Sequence, residues 1–399
     1  MEFEEMNAIE LLDIINSGET SRVQFKEKIT SADQLAAEMV AMSNSLGGMI
    51  LVGVKDGIGE IVGLSNAELQ KYNQPTPLNI GNIATDKVIP NIYVTTEVVS
   101  IDNGDSKKIL VIYIKEGINK PYKDRNLDIW VKQVDGKRRV SDNAEILRLY
   151  QSSANLSADE MEVYGTSLGD VNNDRFEQYF KKEFQKTIEE EGLTFEQALK
   201  RKKVIRNGKL TLAGVLFFGK EPQNYKPAFC IKAVSFWGNS IGGNEYRDSR
   251  DIIGTIQDMF NEGIKFFEIN LKHTQQGQNF NSPGILEISK IALEELLQNA
   301  LLHRDYFRNS PIRLMIFDNR VEIISPGRLP NNLTVEEIKY GNPVIRNNQL
   351  VSYAVHILPY KGLGSGIRRA LESQPDIQFF NDIEGEQFIV KIPRPETNN

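Results

Sequence analysis

The sequence predicts a mixed protein of the α+β and α/β classes, with two larger units joined by a helical connector. In the first part of the chain, β-branched runs near residues 49–54 and 92–114 predict strands. Helical, charged stretches follow, and strands and helices then alternate toward the C terminus. The expected divisions are an α+β domain at 1–155, a helical connector at 156–225, an α/β sandwich at 226–395 and a disordered tail at 396–399.

The first segment begins with a helix whose two ends are marked by favoured capping residues. Ser31 is a favoured N-cap, and the pair Gly47-Gly48 predicts the end of the helix and a turn into a strand from Met49 to Val54. The apolar residues between the caps keep helical spacing. Further elements are expected as strands at 92–101 and 108–114, a hairpin over 127–140 turning at Asp135-Gly136, and a helix from about Ser141.

The connector and the last segment follow the same logic. Helices are expected over 174–191 and 195–203, and the apolar run 210–219 reads as either a hairpin or a helix. The last segment is then expected to contain strands near 229–237, 312–317, 321–324 and 387–392, and helices around 252–267, around 288–303 and after Gly366.

Composition narrows the class of protein. The formal net charge of −7 argues against a protein that coats nucleic acid indiscriminately, although local basic clusters remain. The single cysteine, Cys230, excludes an intrachain disulfide and is expected to be a buried packing residue. No apolar run is long enough for a membrane helix, and the acidic start does not resemble a secretory signal. We therefore expect a cytoplasmic protein that does not bind membranes.

The most informative stretch sets three polar side chains four residues apart on one predicted helix. Glu295, Asn299 and His303 then share one face. An acid that can orient water and an amide that can bind a metal, one turn apart, suit a pocket for a Mg-nucleotide. Glycines that could shape such a pocket follow at Gly327 and in the run Gly362-Leu-Gly364-Ser-Gly366.

Two stretches resemble known families. Residues 19 to about 150, with Gly47-Gly48-Met-Ile-Leu-Val-Gly53, resemble the Schlafen-type AlbA domain, a DNA-binding type also called divergent AAA. Residues from about 210 to 395, with Asn299-Ala-Leu-Leu-His-Arg-Asp-Tyr306, resemble the ATPase-like C-terminal module of RecG-related transcriptional regulators. No Walker P-loop accompanies them, so the resemblance does not imply a helicase.

The second module is similar to the GHKL ATPases, and this similarity implies a set of roles. Glu295 would be the general base, Asn299 the Mg²⁺ ligand, and ATP the nucleotide. The lid-side loop would be formed by Gly362, Gly364 and Gly366, with Gly327 in the loop beneath the base. GHKL proteins carry an aspartate before that loop to bind adenine. This chain has Ser325 nearby, with Asp318 seven residues earlier, so adenine specificity is not predicted.

The first module departs from its nuclease-active relatives. By resemblance, their carboxylate triad would fall on Glu19, Gln24 and Asp56, and the amide at Gln24 weakens the predicted metal site. We therefore expect a degraded nuclease site and a non-cleaving role instead, in binding nucleic acid or in protein interaction. The side chains expected to contact phosphates are Lys26, Lys28, Lys132, Lys137, Arg138 and Arg139, for which solvation of an exposed edge is the alternative.

These observations favour a cytoplasmic regulator, resembling a transcriptional regulator, in which an ATP- and Mg²⁺-binding pocket controls binding to DNA or RNA. The resemblance also suggests a homo-oligomer. Two alternatives remain open: a metal-dependent nuclease of Schlafen type with a defence role, and a scaffold whose ATPase site has decayed. Whether nucleotide is weakly hydrolysed or only sensed is open as well.

Overall fold

The computed structural model describes residues 6–102, 106–133, 136–153, 156–242, 245–274, 284–330, 333–341, 344–362 and 364–395. It divides into two compact units, residues 1–156 and 157–399. Both combine helices and strands, which confirms the predicted class. In the described ranges no helix is long and apolar enough to cross a membrane. The predicted tail at 396–399 and the predicted turn residue Asp135 lie outside these ranges.

The first unit is built on a four-stranded sheet in the order β1-β2-β5-β4. Strands β1 and β2 are parallel and the other neighbours antiparallel. Helix α2 covers one face of the sheet and α1 the other, and each face has its own apolar core. The elements of this unit are α1 Ala8–Ser17, β1 Val23–Lys26, α2 Ala32–Asn44, β2 Gly48–Val52, α3 Asn66–Asn73, α4 Ile80–Asp86, β3 Val88–Ile89, β4 Val94–Asp102, β5 Ser106–Ile114, β6 Lys123–Asp124, β7 Ile129–Gln133, β8 Gly136–Val140 and α5 Asn143–Gln151.

The predicted caps of α2 are found in the structure. The Ser31 side chain accepts a hydrogen bond from Gln34 N at 3.3 Å. Beyond the helix end, Gly47 has φ +69°, and its missing Cβ would lie 2.7 Å from Ile114 O. Only glycine allows this backbone to turn and to approach the neighbouring strand so closely. The chain thereby enters β2 in the centre of the sheet.

The second unit is built on a six-stranded sheet in the order β12-β11-β15-β16-β18-β17. Only β11 and β15 run parallel. The elements of this unit are α6 Asn173–Phe184, α7 Phe195–Arg201, β9 Ile205–Arg206, β10 Lys209–Leu210, α8 Leu212–Phe218, α9 Pro222–Tyr225, β11 Ile231–Phe236, β12 Tyr246–Ile252, α10 Ile256–Asn270, β13 His273–Thr274, β14 Ile285–Leu286, α11 Lys290–His303, β15 Ile312–Ile316, β16 Arg320–Pro326, α12 Val335–Lys339, α13 Asn348–Ile357, α14 Gly366–Ser373, β17 Gln378–Asp382 and β18 Gln387–Pro393.

One hydrophobic core runs through the second unit. It joins helices from the predicted connector, such as α6 and α8, to α10, α11 and the sheet. The stretch 156–225 therefore packs as part of the second unit and does not form a separate body. The apolar run left open as hairpin or helix is helix α8, which Thr211 caps. Cys230 is buried in this unit, as expected for a packing residue.

Two edge strands were not predicted. Strand β12 contains two Arg-Asp pairs separated by a serine, and β17 is short and contains Asn and Asp, so neither carries the apolar pattern of a strand. The helix predicted from Ile252 instead begins at Ile256, because Thr255 and Asp258 form a capping box there.

Candidate functional site

A pocket in the second unit lies between α11 and the loop that precedes α14. Its apolar side comes from the sheet, from the segment after β16 and from α12. Its polar side comes from α11 and the glycine-bearing loop. The apolar lining residues are Leu296, Ala300, Ile323, Leu329, Pro330, Leu333, Ile338, Val344, Ile367, Phe379, Phe388 and Val390.

Helix α11 brings the three predicted polar side chains to this one pocket. Glu295, Asn299 and His303 all line it. The helix starts where the Ser289 side chain accepts from Ala292 N, and its other faces are buried in the core of the unit. The four-residue spacing therefore acts as the sequence predicts and presents one polar stripe to the pocket.

The glycine loop approaches the acid and the amide very closely. A Cβ on Gly366 would lie 2.6 Å from Glu295 Oε2 and 3.5 Å from Asn299 Nδ2. Gly362 and Gly364 have φ of +68° and +71°, a region that favours glycine. All three glycines line the pocket, as the resemblance implies for a lid-side loop.

Glu295 is a buried carboxylate with one strong partner. Its Oε1 lies 2.6 Å from a terminal nitrogen of Arg369 on α14. Burial raises the pKa of the Glu295 carboxyl, and the Arg369 charge opposes that shift. The group is therefore a stronger base than an exposed glutamate but is held by a guanidinium.

Asn299 has a side-chain hydrogen-bond donor that no described residue satisfies. Its Nδ2 is buried and has no hydrogen-bond partner among the described residues. Such a group costs free energy unless something else satisfies it. Because Nδ2 is a donor, a phosphate oxygen of a nucleotide beside the glycine loop would satisfy it, and the amide oxygen of the same side chain could bind a metal ion. The residues present therefore fit the cofactor that the resemblance implies.

The loop after β16 places Gly327 at the pocket wall. Gly327 has φ +95°, and a Cβ there would lie 2.4 Å from Asp305 Cβ. Ser325 lies nearby and its hydroxyl donates to Ala300 O at 3.4 Å. Asp318 does not line the pocket and instead pairs with Arg247. The pocket thus has no counterpart of the adenine-binding aspartate at either position that the sequence suggested.

His303 is a neutral side chain at the end of α11. Burial, and secondly the charge of Arg346, lower the pKa of His303 to about 4. Its Nε2 lies 3.3 Å from the Tyr360 hydroxyl. The imidazole is therefore uncharged near pH 7 and supports Tyr360 at the rim of the pocket.

The charged lining residues favour an anion. Among the described residues, Arg328, Lys361 and Arg369 line the pocket against one carboxylate, Glu295. The sequence reasoning did not single out these three cations. Arg369 could have been found, because it lies one helical turn after Gly366 and so faces the same side of α14.

In the first unit, the predicted degraded nuclease residues already have protein partners. The Glu19 carboxylate accepts from the side chain of Gln24 and, at 2.8 Å, from Phe25 N. Asp56 instead pairs with Lys26 at 2.5 Å. No group of three or more His, Cys, Asp or Glu side chains in the described ranges could hold a metal ion. Glu19 and Asp56 thus bind different partners, and the degraded nuclease site stays a prediction.

Lys132 is buried next to this cluster. Its ammonium group donates to Gln24 Oε1 at 2.5 Å and lies 3.7 Å from Glu38 Oε2, with none of its side chain exposed. Burial lowers the pKa of Lys132, and Glu38 opposes that shift. The side chain thus faces inward and is not placed for the predicted phosphate contact. Glu38 was not singled out from the sequence, although a glutamate inside the apolar stripe of α2 signals a buried partner.

The other five predicted phosphate contacts are ion-paired. Four pairs are Lys26–Asp56 at 2.5 Å, Lys28–Glu68 at 2.7 Å, Lys137–Glu38 at 2.6 Å and Arg139–Asp128 at 2.6 Å, and Arg138 pairs with Glu145. Arg139 is the most exposed, with 63% of its side chain accessible. Lys137–Glu38 is largely buried, whereas the other four pairs are at least partly exposed. Exposed pairs contribute little to stability and can exchange a carboxylate for a phosphate. Contact with nucleic acid at these residues stays a prediction.

Comparisons with known proteins agree with the two resemblances. The Schlafen AlbA_2 family model matches residues 19–141, and the model described as "Putative ATP-dependent DNA helicase recG C-terminal" matches 309–386. A domain of unknown function, DUF8451, matches 147–232. The predicted resemblance to a Schlafen-type AlbA domain and a RecG-related C-terminal module is confirmed. The two domain types support a nucleotide-binding, nucleic-acid-associated protein. The 309–386 match contains the glycine-bearing wall of the pocket but not α11.

Chains of solved structures also match this chain, and one example has limited similarity to it. The DIP2311 protein from Corynebacterium diphtheriae is 21% identical, and the alignment covers 97% of this chain and 80% of that one with a TM-score of 0.46. No curated protein matches the chain in sequence.

Proposed function

We propose that this chain, which carries a Schlafen AlbA_2 domain and a RecG-type C-terminal domain, binds a Mg-nucleotide in its second unit and uses it to regulate nucleic-acid binding by its first. Nucleotide binding is supported mainly by the close approach of Gly366 to Glu295 and Asn299. A Cβ on Gly366 would lie 2.6 Å from Glu295 Oε2 and 3.5 Å from Asn299 Nδ2. The missing side chain at Gly366 lets the loop backbone approach the acid and the unpartnered amide, and all three residues line the same pocket.

The pocket has an apolar side and a cationic side, which suits a nucleotide. Aromatic and aliphatic residues such as Phe379, Phe388 and Ile323 would pack on the base. Arg328, Lys361 and the loop glycines would face the phosphates. ATP is the nucleotide that the domain type implies, while the serine at position 325 leaves the choice of base open.

The chemistry of the site divides between two residues of α11. The amide of Asn299 would hold Mg²⁺, because hard cations prefer oxygen ligands. Glu295 would accept a proton from water, for which its raised pKa suits it. A bound Mg-nucleotide would supply the phosphoryl group that this water attacks. Turnover is expected to be slow, because Arg369 holds the base.

Nucleic-acid binding is assigned to exposed cations of the first unit. Arg138 and Arg139 lie on β8, next to each other in sequence, with 42% and 63% of their side chains exposed. Their carboxylate partners would be exchanged for phosphates on binding. A second copy of the chain is expected to contribute to the active form, as the resemblance implies for this type of regulator.

The test has two parts that use the full chain. Calorimetric titration with Mg-ATP should show binding by wild type and strong loss in Asn299→Ala. Asn173→Ala, an exposed position at the start of α6, is the matched control and should bind normally. Binding to labelled DNA and RNA is then measured over a salt series, with and without Mg-ATP.

The proposal expects salt-sensitive nucleic-acid affinity that changes when nucleotide is added. Arg138→Ala with Arg139→Ala should weaken it and reduce the salt slope by about two, because each phosphate contact contributes roughly one counterion. If wild type binds no nucleotide, the proposed nucleotide site is wrong. If the nucleic-acid affinity does not change with salt or with the two arginine substitutions, the proposed nucleic-acid site is wrong. Light scattering that gives a monomer under all conditions would remove the oligomer.

A further inference from the structure

The acid proposed as the base is already occupied. Glu295 Oε1 lies 2.6 Å from Arg369, and the other carboxylate oxygen lies against Gly366. The guanidinium stabilises the charged carboxylate, opposes the rise in pKa that burial causes, and occupies the oxygen that would otherwise accept a hydrogen bond from water. The free pocket is therefore arranged to suppress the reaction that its residues would support.

The two partners are anchored very differently. Only 6% of the Glu295 side chain is exposed. It projects into the pocket from α11, whose apolar residues are buried in the core of the second unit. Arg369 is 33% exposed, and it lies on α14, which begins at the glycine loop. If the pair separates, Arg369 is therefore the side chain that moves.

Arg369 also has unused hydrogen-bonding capacity. Its Nε is buried and has no partner among the described residues. A guanidinium binds two phosphate oxygens through parallel N–H groups, and the pair Nε and a terminal nitrogen is one such fork. Arg369 lines the same pocket as the loop that is proposed to hold the phosphates.

We propose that Arg369 selects nucleoside triphosphates, pairing with Glu295 in the free pocket and transferring to the terminal phosphate when a triphosphate binds. The inference rests on the proposed nucleotide site and adds its specificity. A diphosphate lacks the group that draws Arg369 away, so the Arg369–Glu295 pair persists with ADP. The base is thereby released only when there is a terminal phosphoryl group to transfer.

The experiment measures binding, not turnover. The Kd values of a non-hydrolysable ATP analogue and of ADP, both with Mg²⁺, are determined by calorimetry on the full chain. The variants are Arg369→Gln and Arg369→Lys, with Arg368→Gln as the control. Arg368 is the adjacent residue, 60% exposed and 3.8 Å from Glu372, and does not line the pocket.

Wild type and the control should bind the triphosphate more tightly than ADP. Arg369→Gln should weaken triphosphate binding by about tenfold to a hundredfold, the contribution of a hydrogen bond to a charged group, and leave ADP binding within about threefold. Arg369→Lys should keep part of the preference, because it retains the charge but loses the fork.

A double-mutant cycle separates this role from a purely structural one. Glu295→Gln removes the competing charge, so triphosphate affinity should rise, and the rise should require Arg369. The Glu295→Gln, Arg369→Gln protein leaves no unpaired buried charge, so it keeps the test valid if the single Arg369 variant folds poorly. It should bind both nucleotides with similar affinity.

The outcomes are distinguishable. Wild type that binds neither nucleotide overturns the nucleotide site and this inference with it. Wild type that binds nucleotide while Arg369→Gln weakens both ligands equally, or neither, overturns the inference and leaves the site intact. A gain from Glu295→Gln that persists without Arg369 also overturns it.

Discussion

Gly327→Ala is expected to destabilise the second unit strongly, because two independent costs meet at this glycine. The backbone has φ +95°, and a Cβ would lie 2.4 Å from Asp305 Cβ and 2.8 Å from a terminal nitrogen of Arg346. The left-handed conformation costs an alanine about 1–2 kcal/mol. Non-bonded carbons need about 3.5–4.0 Å, so the chain must shift by more than about 1 Å. Overpacking of this kind costs about 1–3 kcal/mol, for a total of about 2–5 kcal/mol.

The matched control is Gly192→Ala. Gly192 has φ +69°, and nothing lies within 4 Å of the position of its Cβ. Only the conformational cost of about 1–2 kcal/mol applies there. The difference between the two variants therefore isolates the close approach of Gly327 to Asp305 and Arg346, the contact that shapes this wall of the pocket.

The assay is urea unfolding of the full chain. The protein has two tryptophans, so a Trp130→Phe background leaves Trp237 as a reporter of the second unit. The midpoint and slope are fitted for that transition alone, because a chain of two units need not unfold in one step. Equal destabilisation by Gly327→Ala and Gly192→Ala would refute the reasoning, since it would mean that the pocket wall tolerates a side chain.

Three other changes have expected results of stated sign. The pKa of His303 is lowered from 6.5 to about 4, so the unfolded chain takes up a proton before the folded chain does as the pH falls. The free energy of unfolding should therefore decrease by about 1–3 kcal/mol between pH 6.5 and pH 4. His303→Gln should make the free energy of unfolding depend less on pH, as measured by urea unfolding. Lys132→Ala should destabilise the first unit by about 2–4 kcal/mol in urea unfolding, because it removes buried methylene groups, leaves Gln24 Oε1 without its donor and leaves Glu38 with Lys137 as its cation. Lys26→Ala removes an ion pair with Asp56 that is partly exposed, so it should cost less than about 1 kcal/mol in the same assay; equal effects of the two lysine variants would contradict the burial of Lys132.

The features that local sequence rules determine were predicted well. Ser31 and Gly47 limit α2 because capping depends on neighbouring residues, and the polar stripe of α11 follows from helical periodicity. The glycines of the loop before α14 were expected at the pocket, and they lie there. Each of these features depends on residues within one or two turns of each other.

The features that depend on distant partners were not predicted. Arg369 meets Glu295, and Lys132 meets Glu38, only because the fold brings separate elements together. Sequence alone treated Lys132 as a surface cation, as is usual for lysine. The polar edge strands β12 and β17 were missed for a related reason, since pairing with a neighbour defines them and not an apolar pattern.

The most direct test of the nucleotide site is the melting temperature of wild type and Asn299→Ala, each with and without Mg-ATP. A ligand that binds only the native state adds RT ln(1 + [L]/Kd) to stability, which is about 2.7 kcal/mol when the ligand is at a hundred times its Kd. The melting temperature of the second unit should rise with Mg-ATP in wild type and hardly at all in Asn299→Ala. No rise in wild type, or an equal rise in both proteins, would contradict it.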